Sequence, residues 1–294
     1  MIKDYFIIFN PQSGKGKSKK IVIKLKNEFK KREIDYDIKS TQFPKHAIDI
    51  CKNIKGYKSL IIIGGDGTFN ECINGLMLNQ SSLPNIGFLP GGTGNAFMHD
   101  LNALTYQDAI QLILQGNTKK IDVLKLQFNN KVEYCINIIG WGMAADINIL
   151  SEKLRFLGPP RYTIASIYYV FNKKSRNATI SIDGEVRNEE YLFILNLNTI
   201  HTGKGMKAAP KAVLDDGLFD VIIIKSNITK YQLLKLLTKI FSGDHIYSDK
   251  VEYLQAKKVL IRPEINEILN IDGEMKCQTP VEISIVPQKI TIYN

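Results

Sequence analysis

The sequence predicts an α/β domain on a parallel sheet, followed by a β-sandwich domain. Over roughly the first 125 residues, short β-branched runs alternate with helical patterns, as parallel strands joined by helices do. From about Val123 the rhythm changes, and strand follows strand with few helices between, which reads as a sandwich or curled antiparallel sheet. In the first half, glycine-rich turns fall at strand ends, where open α/β sheets bind their ligands.

In chain order, the first half offers strands at Tyr5–Phe9, Tyr36–Ser40, Ser59–Ile63 and Asn85–Leu89. Helices are expected at Lys17–Arg32, Pro44–Lys52, Phe69–Leu78, Ala96–Leu101 and Tyr106–Gln115. The N-terminal run Met1–Asn10 is apolar for too few residues and lacks a small-residue cleavage site, so it reads as a strand and not a signal peptide. The second half offers strands at Val123–Phe128, Val132–Ile139, Ala178–Ile182, Tyr191–Asn196 and Phe219–Ile224. Further strands follow at Val251–Ala256, Lys258–Arg262, Glu267–Ile271 and Val281–Val286. One helix interrupts them, Thr229–Phe241, whose Leu233, Leu234, Leu237, Ile240 and Phe241 sit at helical spacing. That stripe reads as core packing, with a membrane-facing surface flanked by Lys230, Lys235 and Lys239 as the alternative.

The 294 residues suffice for one large or two ordinary domains, and 44% apolar with 23% charged residues is the balance of a folded, soluble chain. No apolar run reaches the roughly 18 residues of a membrane span. Cys51, Cys72, Cys135 and Cys277 are scattered without a C-x-x-C pair, which argues against a disulfide framework or zinc site and fits a cytoplasmic protein. The net charge of +10 suits nucleic acid, anionic lipid or nucleotide phosphates. No RNA-binding aromatic signature or helix-turn-helix pattern supports nucleic acid, and solvated surface lysines are the plain alternative.

The most informative stretch is Leu60–Glu71, where a β-branched run enters Gly64-Gly65-Asp66-Gly67-Thr68 before a helix pattern of Cys72, Ile73, Leu76 and Met77. Glycines let backbone amides crowd an anion, and a helix start adds its own unpaired amides and positive dipole end. Thr68 and Glu71 form a T-x-x-E capping box. Asp66 has no such structural role, and in a phosphate cradle it points to metal coordination or to handling the proton of an attacking hydroxyl. Two similar turns accompany it. Asn10–Ser18 carries Gly14, Lys15 and Gly16 but lacks Walker spacing, because position 11 is proline. Leu89–Ala96 carries Gly91, Gly92 and Gly94. Each alone could be a tight loop; three at neighbouring strand ends predict a nucleotide site.

Asn10-Pro11-Gln12-Ser13-Gly14-Lys15, Gly64-Gly65-Asp66-Gly67-Thr68-Phe69-Asn70-Glu71 and Pro90-Gly91-Gly92-Thr93-Gly94-Asn95 together resemble the diacylglycerol kinase catalytic superfamily. That superfamily includes soluble bacterial lipid kinases, sphingosine kinases and ceramide kinases. The resemblance runs on through Asp122, Asp215–Asp220 and Asn270–Glu274. It implies a nucleotide-binding α/β domain at 1–124, rejoined by a last strand at about 287–294, and a lipid-substrate β-sandwich at 125–286 that completes the cleft. Residues Gly140–Tyr162 are similar to the sphingosine and ceramide kinase branch, which implies ATP-phosphate contacts for Arg155 and Arg161; guanidinium forks suit phosphate oxygens. In that branch an aspartate pairs the substrate amine where this chain has Asn148; Asp146, two residues away, is the substitute candidate. Ala96 replaces the aspartate of many bacterial diacylglycerol kinases, so the acceptor lipid stays open.

The resemblance implies ATP and Mg²⁺ as cofactors and a lipid hydroxyl at a membrane surface as acceptor. Phosphates and nucleoside would be held by Asn10, Gly14, Lys15, Thr41, Gly64, Gly65, Gly67, Thr68, Gly91, Gly92, Thr93 and Asn95 with the two arginines. Asp66 would orient and deprotonate the hydroxyl, and Asp272 and Glu274 would assist metal water or nucleotide placement, although Asp272-Gly273 alone reads as a hairpin turn. Asp216 is the candidate ligand of a structural Mg²⁺, with surface turn capping as the alternative. A cytoplasmic protein with peripheral membrane association is implied, and a homodimer is left open. The rivals are an NAD kinase-like activity, against which Pro90–Asn95 and Ser151–Tyr162 argue, and a non-catalytic nucleotide- or lipid-binding module.

Overall fold

The strands of the first half are β1 (Lys3–Phe9), β2 (Tyr36–Ser40), β3 (Tyr57–Gly64), β4 (Asn85–Pro90) and β5 (Thr118–Phe128). Between them run α1 (Lys17–Lys31), α2 (His46–Lys52), α3 (Asp66–Met77), α4 (Ala96–Asp100) and α5 (Tyr106–Gln115). The structure is a computed structural model that describes residues 3–79, 81–158 and 160–294. Met1 and Ile2 of the N-terminal run, and Pro159 of the 151–162 segment, lie outside the described residues.

The chain divides into two compact units, 1–123 with 287–294, and 124–286. In the first, β1 pairs in parallel with β2 and β3, and β3 with β4. The order 2-1-3-4 puts the topological switch point between β1 and β3, where open α/β sheets place their ligand crevice. The apolar runs that wrote these strands are buried: Ile7, Ile8, Leu60, Ile61, Ile62, Ile63, Ile86 and Leu89 are sealed from solvent. Phe69 of α3 and Phe97 of α4 both pack on Phe88 of β4, tilted and edge-on, with centroids 4.5 and 5.1 Å apart, which brings the starts of α3 and α4 to one strand.

The second unit holds β6 (Lys131–Cys135), β7 (Ile138–Gly142), β8 (Arg176–Ile182), β9 (Glu185–Leu197), β10 (His201–Thr202), β11 (Met206–Lys207) and β12 (Phe219–Lys225). It continues with β13 (Glu252–Ala256), β14 (Lys258–Pro263), β15 (Ile268–Ile271), β16 (Glu274–Gln278) and β17 (Val281–Tyr293). Pairing here is antiparallel, and the long β9 serves β8 through its first half and β7 and β12 through its second. Trp141, Tyr191, Ile194, Phe219, Val259 and Ile271 belong to its sandwich core.

Among the described residues, three α-helices belong to this unit, α6 (Met143–Lys153), α7 (Arg161–Phe171) and α8 (Lys230–Lys239). Only the last was expected. The other two correct the reading of a half with a single helix. Their residues explain the miss, because α7 is rich in Ile, Tyr, Thr, Val and Phe, which favour strands on propensity. β17 is one continuous strand: Val281–Ser284 pair with β14, and Ile292 pairs in parallel with Ile86 of β4. Asp122, fully buried, accepts the Gln288 amide at 2.7 Å and fastens the returning segment. All four cysteines are free thiols.

Candidate active site

In the first unit, four strand ends come out in register, Phe9 beside Ser40 and Ile63, and Gly64 beside Pro90. Thr41, Asn10, Gly64 and Gly91 therefore leave the sheet along one edge. The Thr41 amide donates to Phe9 O (2.9 Å) and the Asn10 amide to Ile63 O (3.1 Å). The turns then interlock backbone to backbone. The Gly91 and Gly92 amides both donate to Gly64 O, at 2.7 and 3.0 Å. A Cβ on Gly14 would lie 2.3 Å from Gly91 O, and one on Gly92 2.5 Å from Gly65 Cα. Much of the glycine content thus serves the packing of loop on loop. The Gly92 amide, also bonded to Asn95 Oδ1 at 3.0 Å, is engaged within the loops rather than aimed outward.

Further backbone donors at this edge belong to the helix starts, where the Lys17 amide already donates to Gly14 O. α1 begins after Gly16 and α3 after Gly65, and neither N-cap supplies a side-chain acceptor. The first-turn amides of both helices have no intrahelical partner. By contrast, α5 and α8 carry complete capping boxes from Thr105 and Thr229. Gly14, Lys15 and Gly16 all adopt positive φ, with Lys15 exposed, and this left-handed stretch turns the chain directly into α1. Asn10 bridges the turns, its Nδ2 donating to Thr68 Oγ1 at 3.3 Å. Gly67 and Thr68 lie inside the first turn of α3, and Thr93 is exposed on the third turn.

The Thr68–Glu71 capping box is not formed, which corrects the sequence reading. α3 starts two residues earlier, at Asp66, and Glu71 Oε1 instead accepts the Lys45 amide at 3.0 Å. Asp66 gains a structural role that its sequence context did not reveal. Its Oδ1 accepts the amide of Ala96, the first residue of α4, at 2.8 Å. The carboxylate so joins two helix N-termini, a place where the backbone dipoles favour negative charge. A Cβ on Gly94 would lie 2.8 Å from Asp66 Oδ2, so this glycine keeps the space beside that oxygen clear.

In the second unit the predicted residues are held by side-chain partners. Arg155 Nε and Arg161 Nη2 both bind Glu152, at 2.7 and 3.1 Å. Glu152 gathers the two arginines and was not singled out by sequence; its i,i+3 spacing to Arg155 was the available signal. Asp146 binds Arg176 Nη2 at 2.6 Å, and Arg176 Nε binds Glu267 at 2.7 Å. Burial opposes the Arg176 charge, but the two carboxylates outweigh it and its pKa rises. A substrate ammonium at Asp146 would compete with this guanidinium. Asn148, almost fully buried, donates to Gly273 O at 2.7 Å and clamps the β15–β16 turn onto α6.

That turn is the hairpin the dipeptide suggested, with φ of +50° at Asp272 and +88° at Gly273. The Asp272 carboxylate turns inward: Oδ1 accepts the amides of Asn137 and Ile138 at 3.2 and 3.0 Å, and Oδ2 that of Ile136 at 3.4 Å. Cys135 Sγ donates to the same Oδ1 at 3.0 Å; burial, reinforced by this carboxylate, pushes the thiol pKa up. Glu274 stays exposed, 3.7 Å from Lys276 Nζ. Asp216 accepts hydrogen bonds from the Leu218 amide (3.0 Å) and Gln255 Nε2 (3.3 Å). Among the described residues, no three His, Cys, Asp or Glu side chains gather as a metal cage.

Comparison with known proteins defines the class. The family model described as diacylglycerol kinase catalytic domain matches residues 4–126, and that described as YegS C-terminal NAD kinase beta sandwich-like domain matches 137–294. A diacylglycerol kinase of Staphylococcus carnosus is 33% identical, over 98% of this chain and 94% of the relative. Sphingosine kinase 1 of Arabidopsis thaliana is 26% identical, over 93% of this chain and 68% of that protein. A crystal structure of a diacylglycerol kinase from Bacillus anthracis superposes with a TM-score of 0.78 at 26% identity, over 99% of this chain and 97% of that one. Fold and relatives together define a lipid kinase, a phosphotransferase with an alcohol as acceptor. The chain belongs to the diacylglycerol kinase family.

Proposed function

We propose that this protein transfers the γ-phosphoryl group of ATP to a hydroxyl of a lipid of diacylglycerol, ceramide or sphingoid type. The observation that carries the reading is the pair of glycine-capped helix starts at one sheet edge, α1 and α3, with the Asp66 carboxylate among them. Uncapped amides and helix dipoles there suit phosphate oxygens. Lys15 adds an exposed positive charge, and Arg155 and Arg161, held by Glu152, add planar donors for an anion. Asp66 orients the acceptor hydroxyl and takes its proton; its bond to the Ala96 amide fixes the carboxylate for that role. Asp272 acts through the 136–138 backbone it holds, a positioning role, and Glu274 is the carboxylate of that turn left at the surface for ordering water.

The donor set fits Mg²⁺ arriving with the nucleotide rather than in a protein cage, since this ion is commonly held by one or two carboxylates and phosphate oxygens. Bound in that way, Mg²⁺ supplies charge neutralisation on the phosphates. A structural Mg²⁺ at Asp216 is a separate proposal: chelation lowers Tm in wild type but not in Asp216→Ala, and equal shifts in both proteins reject it. No helix among the described residues is long and apolar enough to cross a membrane.

Labelled ATP offered with diacylglycerol, ceramide, sphingosine and NAD separates the readings. Phosphorylated lipid supports the proposal. NADP would favour the rival nucleotide kinase, and nucleotide binding without product would favour a non-catalytic module.

A further inference from the structure

Lys276 is a cation set among carboxylates beside the Asp272–Gly273 turn. It follows Glu274 by two residues on β16, so both side chains stand on one face of the strand. Lys276 Nζ lies 3.7 Å from Glu274 Oε2 and 3.7 Å from Glu133 Oε2. Glu133 comes from β6, which pairs with β5, whereas β16 pairs with β15. The ammonium therefore joins strands that take different neighbours. Its side chain is only 24% exposed. Burial opposes the charge, but Glu133, Glu274 and Asp272 outweigh it and the pKa rises. Lys276 is thus an ammonium throughout the neutral range. Neither contact is short enough for a hydrogen bond, so the charge is shared between two carboxylates rather than locked to one.

The carboxylates around it differ in setting. Asp272 is engaged by three backbone amides and the Cys135 thiol. Glu274 is 49% exposed and Glu133 31%. Glu274 is therefore the group that can turn outward at small cost, since an exposed pair at this distance holds weakly. With Glu274 as its one counter-charge, a half-buried ammonium would be stranded by that movement, which is unfavourable. Glu133 removes the penalty. We infer that Lys276 positions the Glu274 carboxylate for phosphoryl transfer, with Glu133 as the second anchor that holds Lys276 when Glu274 swings toward a ligand. The inference deepens the lipid-kinase reading and rests on it. Lys276 is a positioning residue, acting through Glu274.

Kinetics of lipid phosphorylation in a double-mutant cycle test it. Lys276→Met keeps the apolar stem and removes the charge; kcat should fall about 10-fold with KM for the lipid within ~2-fold. Lys276→Arg should restore kcat to within ~3-fold of wild type. Glu133→Gln leaves Lys276 to Glu274 alone and should lower kcat ~3-fold. In a Glu274→Gln background, Lys276→Met should cost less than ~2-fold more, because the carboxylate it positions has gone. Wild-type kcat in Lys276→Met overturns the proposal. So do losses that multiply in full in the double variant, which would mark Lys276 as an ordinary structural ion pair. Carbon NMR of the Glu274 carboxyl reads the tether without turnover: its signal should move in Lys276→Met and return in Lys276→Arg. A signal unmoved by Lys276→Met overturns the proposal whatever the activity. A wild-type chain that phosphorylates no lipid, while the Glu274 signal still follows Lys276, sinks the kinase reading and leaves the tether standing.

Discussion

The two units build their candidate site residues from different materials. At the sheet edge of the first, the groups that matter are backbone atoms, and the glycines let turn pack on turn. In the second, the corresponding residues are long side chains already matched to partners: Glu152 with Arg155 and Arg161, Asp146 with Arg176, Asn148 with Gly273. A backbone site depends on which residues lack a Cβ. A side-chain site depends on which charges are held in place. Substitutions should therefore fail for different reasons in the two units.

The sharpest contrast compares two glycines of one turn. Gly14 and Gly16 both have positive φ, but a Cβ at Gly14 meets Gly91 O at 2.3 Å while one at Gly16 meets nothing within 4 Å. Gly14→Ala should cost about 4 kcal/mol and abolish nucleotide binding, whereas Gly16→Ala should cost ~1 kcal/mol, as read by urea unfolding and ATP titration. Equal losses would show that conformation alone, and not loop packing, governs the turn.

In the second unit, Asn148→Asp replaces the donor to Gly273 O by a second acceptor in a nearly sealed place. A loss of roughly 3 kcal/mol is expected in thermal unfolding, with the β15–β16 turn loosened. An unchanged Tm would mean that the turn stands without its clamp.

Asp220 supplies a test by pH. Burial, with the charge of Asp216 adding and the Tyr253 hydroxyl opposing, raises its pKa to about 6. The unfolded value is about 3.9. In that window the unfolded chain releases the proton first, so stability falls as pH rises, and the penalty is complete above the folded value. In metal-free buffer Asp220→Asn should gain about 2 kcal/mol at pH 7.5 and nothing below pH ~4. Equal gains at both values would remove ionisation as the cause. The smallest effect is expected for Glu152→Gln. Its pairs are at least partly exposed to solvent, so stability should move by under ~1 kcal/mol, while KM for ATP rises several-fold with kcat little changed.

How much could be read from the sequence follows the same division. Helix α5 matches its expected span, Tyr106–Gln115, because apolar spacing and a Thr105 cap agree. The three turns were visible because glycine before a helix has few other uses. Long-range partners were not: Asp146 and Arg176 are distant in sequence, and no spacing rule joins them. Helix α7 was missed for a physical reason: its apolar stripe is β-branched and aromatic and faces solvent, so neither propensity nor a core-facing pattern marked it. The capping box failed because α3 begins at the glycine turn itself, two residues before the Thr68 that would have capped it.

If the N-terminal turns hold ATP and Asp66 serves the transfer, the two functions should separate at position 66. Asparagine at position 66 keeps the oxygen that accepts the Ala96 amide and removes the charge. ATP titration and single-turnover phosphorylation of a lipid acceptor should be measured together in wild type and Asp66→Asn. The variant should keep ATP affinity within ~3-fold and lose about 100-fold or more in transfer. Wild-type transfer in the variant, or loss of ATP binding with the fold intact, would contradict that assignment.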